Sequence, residues 1–171
     1  MEYLNFFEPQ TINIFIQLIV ATTLGVVIGV ERTIAHKNAG MRTYGLISLG
    51  AALFIIISRE AVSMYSGFAG LNPMHIPSQV VLGIGFIGGG LIMVNGNTIR
   101  GITTAAGLWV AAGIGMAVGF ELYSLACFVT FLTLFVFTIL WRIEERVKMF
   151  SNSGKNECQI DEIGKVICKD E

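Results

Sequence analysis

Glu31 and Arg32 stand side by side directly after Thr11–Val30, an apolar run free of charge. Arg42-Thr43 opens a second apolar run, and Arg100 precedes a fourth that carries Thr103 and Thr104. An acid at the end of a lipid-embedded segment is costly unless paired, so Glu31 calls for an ion pair with Arg42 or Arg100. The chemistry of such a set is ionic and hydrogen-bonding, at the rim of an apolar bundle. The arginines have a second reading as anchors whose long stems carry charge to an interface, and Lys37 shares it. The threonines have one too, each hydroxyl bonding back to its own helix.

Other chemistries are poorly served. The first Asp of the chain is Asp161, so there is no Ser-His-Asp set, and no nucleophile stands beside a base. Cys127 lies inside an apolar run, while Cys158 and Cys168 share a polar tail without CxxC spacing or a nearby His. Neither a metal site nor a cofactor is expected. Gly83-Ile84-Gly85-Phe86-Ile87-Gly88 matches a dinucleotide fingerprint but lies within a hydrophobic run, and the next acid is Glu121. The context that motif requires is missing. An enzyme is not expected.

The elements that position these residues follow from composition. Of the 171 residues, 54% are hydrophobic and 13% charged, with mean hydropathy +0.71. Globular proteins carry roughly 25% charged residues. Between Leu46 and Leu122 the formal charges are Arg59, Glu60, Arg100 and Glu121. This is the composition of an all-α membrane protein. The net charge of −1, without a basic cluster interleaved with aromatics, argues against nucleic acid as a partner.

A helix needs about 20 apolar residues to cross about 30 Å of hydrocarbon. Five runs qualify or come near: Thr11–Val30, Thr43–Ser58, Ser78–Val94, Gly101–Phe120 and Leu122–Trp141. Asn95-Gly96-Asn97-Thr98 carries the turn chemistry that separates the third from the fourth. Near the spans, five crossings place eight Lys/Arg on one side (Arg32, Lys37, Arg42, Arg100, Arg142, Arg146, Lys148, Lys155) and Arg59 alone on the other. If the short second run did not cross, the split would be four against five. The positive-inside rule therefore favours a five-helix bundle, N-terminus outside and C-terminus cytoplasmic. On that topology His36 and His75 lie on opposite sides and share no metal.

The N-terminus Met1-Glu2-Tyr3-Leu4-Asn5 lacks a basic leader, so the first run reads as a retained span. Residues 1–150 form the membrane domain. Arg142–Phe150 continues the last helix, and 151–171 is a short polar cytoplasmic tail, either a hairpin around Cys158–Cys168 or unstructured.

Eleven of the 20 glycines fall between Gly83 and Gly119. Gly25/Gly29, Gly85/Gly89 and Gly115/Gly119 are GxxxG pairs, and small residues let helices approach closely in lipid. Packing within the chain is one reading. A homo-oligomer interface is the other, with Gly25/Gly29 the readiest candidate. Gly88-Gly89-Gly90 also invites a loosened helix with exposed carbonyls, tolerated only where buried or lining a cavity.

Four blocks, in this order and spacing, resemble the membrane domain of the MgtC/SapB family. They are Gly25-Val26-Val27-Ile28-Gly29-Val30-Glu31-Arg32; Ala39-Gly40-Met41-Arg42-Thr43 leading to Leu49-Gly50-Ala51-Ala52-Leu53-Phe54; Gln79-Val80-Val81-Leu82-Gly83-Ile84-Gly85-Phe86-Ile87-Gly88-Gly89-Gly90; and Arg100-Gly101-Ile102-Thr103-Thr104-Ala105-Ala106-Gly107-Leu108-Trp109. The resemblance covers about residues 12 to 141 and adds Gln79 to the polar set. It implies a multi-pass protein of the bacterial inner membrane, tied to growth at low magnesium. In virulence-associated members it implies inhibition of the proton-translocating ATP synthase by membrane contact. The chain departs from the pattern at His75-Ile76-Pro77-Ser78-Gln79, where Arg-Ile-Ala-Ala-Gln is usual, at Gly107, where Thr is common, and in its short tail. On this basis the expected role is that of a non-enzymatic regulator whose partners are the bilayer, another membrane protein such as ATP synthase, or a second copy. A magnesium or other cation transporter or channel is the alternative.

Overall fold

Without water to compete, an apolar chain must satisfy its own backbone hydrogen bonds, and the helix does so within one segment. The computed structural model describes residues 9–65, 72–152, 158–160 and 166–168. Its helices are α1 (Pro9–Ile34), α2 (Met41–Met64), α3 (His75–Gly89), α4 (Ile102–Gly119), α5 (Tyr123–Phe135) and α6 (Trp141–Asn152). A π-helical stretch, Val136–Leu140, joins the last two. Among the described residues, four stretches are long and apolar enough to cross a bilayer: α1, α2, α4 and Tyr123–Glu144. The Met1–Asn5 reading falls outside the described residues.

Two helix ends close in the same way, and neither uses glycine. After α1, His36 donates to the Thr33 carbonyl and Lys37 to that of Arg32, with His36 left-handed at φ 53°. After α4, Glu121 donates to Val118 and Leu122 to Ala117, with Glu121 at φ 64°. Both are Schellman closures, whose turn residue favours Gly because a side chain there crowds the backbone.

The helices up to Leu134 belong to one compact unit. Its core lies where α2 sits between α1 and α4, around the fully buried Ile28, Tyr44, Ser48, Ile55, Leu108, Ile114 and Val118. The glycine pairs set these distances. A Cβ on Gly25 would come within 2.6 Å of the Tyr44 carbonyl, and one on Gly29 within 2.5 Å of the Met41 Cα. Gly119 lies against Ile55, and Gly115 against the Ser48 backbone, so α2 is gripped from both sides.

These contacts also fix direction. The start of α2 lies at the start of α4, where the Tyr44 hydroxyl donates to the Thr104 carbonyl at 3.4 Å. The end of α2 lies at the end of α4, where Arg59 reaches the Gly119 carbonyl at 2.9 Å. Parallel α2 and α4 require the intervening chain to return from one end of the bundle to the other. α3 makes that return. It begins beside the end of α2, where Ser58 donates to the Pro73 carbonyl at 3.4 Å, and its Gly88 lies against Ala105 near the start of α4.

The expected third span, Ser78–Val94, is corrected in extent. The helix has 15 residues, about 22 Å at 1.5 Å per residue, short of a full hydrocarbon crossing. After Gly90 the chain leaves the helix and forms a hairpin, β1 (Met93–Asn95) with β2 (Thr98–Arg100), pairing Met93 with Arg100, Val94 with Ile99 and Asn95 with Thr98. The two-residue loop has a positive φ at Gly96, the type II′ pattern. Gly101 follows at φ 93°, and a Cβ there would collide with the Leu91 carbonyl oxygen, so a residue with a side chain is excluded on both counts.

The second unit begins at Phe135. It holds the π-helical stretch, α6, and a hairpin of β3 (Cys158–Ile160) with β4 (Val166–Cys168), in which Cys158 pairs with Cys168 in register. Of the two alternatives for the tail, the hairpin is the one present. Gly154 and Lys155 lie outside the described residues.

Candidate functional site

The acid that closes α1 pairs with its own neighbour. The Arg32 guanidinium grips both Glu31 carboxylate oxygens, Nη2 donating to Oε1 at 2.6 Å and Nε to Oε2. The expected pairing of Glu31 with Arg42 or Arg100 is thereby corrected. Arg32 is 3% exposed, and a guanidinium so buried needs its counter-ion at hand. A sequence neighbour supplies one without depending on the approach of another helix. The Tyr44 phenol is buried where α1, α2 and α4 meet.

Arg42 and Arg100 share this end of the bundle, because α2 and α4 start together, and both stand exposed. Thr43 is half-buried, Thr103 exposed and Thr104 buried, its carbonyl receiving the Tyr44 hydroxyl. Gln79 does not join them. It lies in the first turns of α3, at the opposite end, on the rim of an apolar groove between α2 and α3. That groove holds about 630 Å³ and is lined in part by Leu46, Gly50, Phe54, Gly83 and Phe86.

The glycine pairs divide. Gly25/Gly29 and Gly115/Gly119 are spent on α2, so Gly25/Gly29 offers no surface to a second copy. The reading of Gly85/Gly89 as packing within the chain is corrected. Both are exposed, and a Cβ on either would meet open space, while Gly88 between them faces α4. Phe86 on this helix is 86% exposed and Leu82 71%.

A second polar cluster, at the other end, was not anticipated as a unit. Glu121 Oε1 accepts from Arg59 Nη2 at 2.8 Å and from Gln17 Nε2 at 3.2 Å, tying α4 to α2 and α1. Gln17 is buried, and its Oε1 has no hydrogen-bond partner among the described residues. The Glu121 carboxylate fixes that amide orientation, since flipping it would set oxygen against oxygen. Gln10 reaches both oxygens of Glu60 nearby at 3.4 Å. The available signal was Gln17 itself, an amide in a charge-free apolar run. Which acid it would meet, 104 positions away, depends on the fold.

Together the clusters brace the bundle at both ends. The three glutamates of the apolar region are split between them, Glu31 at one end and Glu60 and Glu121 at the other. Among the described residues no group of three or more His, Cys, Asp or Glu converges.

Comparison with known proteins bears on this arrangement. The chain is 40% identical over 140 residues to YhiD of Escherichia coli K12, whose name assigns it provisionally to magnesium transport. The match covers 81% of this chain and 65% of that protein. It is 36% identical over 156 residues to MgtC of Salmonella typhimurium LT2, covering 91% and 64%. With slr0014 of Synechocystis it shares 41% over 109 residues, covering 64% and 44%. The chain thus spans less than two thirds of the length of these relatives. No solved structure matches it. The profile of the MgtC family covers residues 18–146, a stretch that includes both polar clusters except Gln10 and Gln17, and the chain belongs to the MgtC family.

Proposed function

We propose that this chain is a non-enzymatic regulator in the bacterial inner membrane, acting in magnesium homeostasis by contact with other membrane proteins. The observation that carries this reading is the outer face of α3. Leu82 and Phe86 project from a helix whose Gly85 and Gly89 leave open space, while the buried hydroxyls of the bundle interior are spent within it. Ser48 donates to the Ala21 carbonyl at 2.7 Å, and Thr130 and Thr133 bond back to their own helix. Apolar surface gains nothing by leaving lipid, so a backbone that can be approached closely is what a helical partner would use. The placement of Arg32, Arg42 and Arg100 at one end supports a cytoplasmic location for that end. ATP synthase is the partner that the relationship to MgtC suggests.

The test co-reconstitutes purified chain and ATP synthase in vesicles and follows ATP-driven proton pumping. Inhibition that Phe86→Ala relieves supports the reading, and pumping unaffected by excess folded chain overturns contact with that enzyme. A photo-crosslinker at position 86 in native membranes then asks for another membrane partner.

Cation transport is the second reading, favoured by the name that YhiD carries. Magnesium keeps several waters and takes one or two carboxylates. The glutamates stand at the ends of the bundle, so a pathway would need rings of them from several copies. Magnesium uptake by proteoliposomes that Glu31→Gln abolishes would establish it, and absence of flux from folded protein would remove it.

A further inference from the structure

Among the described helices α6 is the most amphipathic. At 100° per residue Ile143 and Val147 share one face, with Arg146 and Arg142 along its flank. Ile143 is 52% exposed and Val147 61%. The apolar span Tyr123–Glu144 takes in the first turn of this helix, so the chain leaves the hydrocarbon within α6. Trp141 stands at that junction, half-exposed, as interfacial aromatics do. The π-helical stretch Val136–Leu140 immediately precedes α6. A π-turn interrupts the regular hydrogen-bond ladder, the kind of irregularity at which helices bend sharply.

A helix of this pattern has two courses on leaving a bilayer. Projecting straight into water would leave Ile143 and Val147 hydrated along one face. Lying in the interface buries that face among acyl chains and brings Arg142 and Arg146 to headgroup level. The charges select the lipid. The stretch carries Arg142, Arg146 and Lys148 against Glu144 and Glu145, a balance complementary to anionic headgroups. We propose that α6 is an interfacial helix that docks on the anionic phospholipid surface of the leaflet from which the last span emerges, Ile143 and Val147 seated in the bilayer and Arg142 and Arg146 on the headgroups.

The experiment uses the full chain with Cys127, Cys158 and Cys168 replaced by Ser and an environment-sensitive fluorophore on Val147→Cys. It is reconstituted in phosphatidylcholine vesicles, with or without phosphatidylglycerol. Quenching by aqueous iodide is compared with quenching by a nitroxide on the lipid. Docking predicts lipid-side quenching that rises with phosphatidylglycerol. Arg142→Gln and Arg146→Gln each reduce the docked-to-free ratio about fivefold, the equivalent of the roughly 1 kcal/mol a basic residue contributes at an anionic surface. Retained helicity by circular dichroism shows that these surface variants fold. A fluorophore open to iodide in both vesicles overturns the proposal. So does one shielded from both quenchers, which means protein covers the face, and so does lipid-side quenching indifferent to phosphatidylglycerol and to both arginines.

Discussion

Ser48 and Gly115 meet backbone to backbone where α2 crosses α4, while the Ser48 hydroxyl donates to the Ala21 carbonyl of α1 at 2.7 Å. One small residue of α2 thus touches both α1 and α4.

Gly115→Ala places a methyl group against the Ser48 carbonyl, and neither backbone can retreat without parting α2 from α4. Overpacking of this kind costs about 1–3 kcal/mol. Gly85→Ala meets open space and should fall within about 0.5 kcal/mol of the parent. Unfolding of both variants in one mild detergent gives the comparison. Equal effects would mean that α4 does not seat on α2 through Gly115.

Ser48→Ala removes the hydroxyl but leaves the close approach. Interhelical side-chain hydrogen bonds in membrane proteins average about 0.6 kcal/mol, so the loss should be of that order and clearly smaller than that of Gly115→Ala. The same unfolding assay separates the two.

Arg59 and Glu121 form an ion pair whose side chains are 39% and 51% exposed. Water screens such a pair, and the coupling in a double-mutant cycle of Arg59→Gln and Glu121→Gln should be under about 1 kcal/mol and shrink with added salt. A large, salt-insensitive coupling would show that this end is drier than the accessibility of its charges implies.

His36→Gly relieves a left-handed residue in the closure of α1. A side chain there costs roughly 1–2 kcal/mol, part of which Gly returns through its greater freedom in the unfolded chain. The expected outcome is a gain of up to about 1 kcal/mol, read as a higher midpoint of thermal unfolding. A loss would assign the imidazole a contact that holds the loop.

The sequence by itself determined that this protein is a bundle of apolar helices, because unbroken apolar runs of about 20 residues match a spanning helix, which satisfies its backbone hydrogen bonds within one segment, and not the shorter strands of a barrel. The runs Thr11–Val30, Gly101–Phe120 and Leu122–Trp141 correspond closely to helical segments, and Asn95-Gly96-Asn97-Thr98 to the turn region of a hairpin. The third run misled, since hydropathy does not distinguish a helix from the apolar hairpin that follows Gly90. Glu31 misled because an acid that needs a partner does not say which arginine will supply it, and the adjacent one did. The three GxxxG pairs read alike in the sequence. Only the tertiary structure decided that Gly25/Gly29 and Gly115/Gly119 close on α2 while Gly85/Gly89 faces outward, because the spacing places two glycines on one helix face but not against a neighbour. The junction of Gln17, Arg59 and Glu121 likewise exists because α2 and α4 run parallel, a relation between helices that no local pattern encodes.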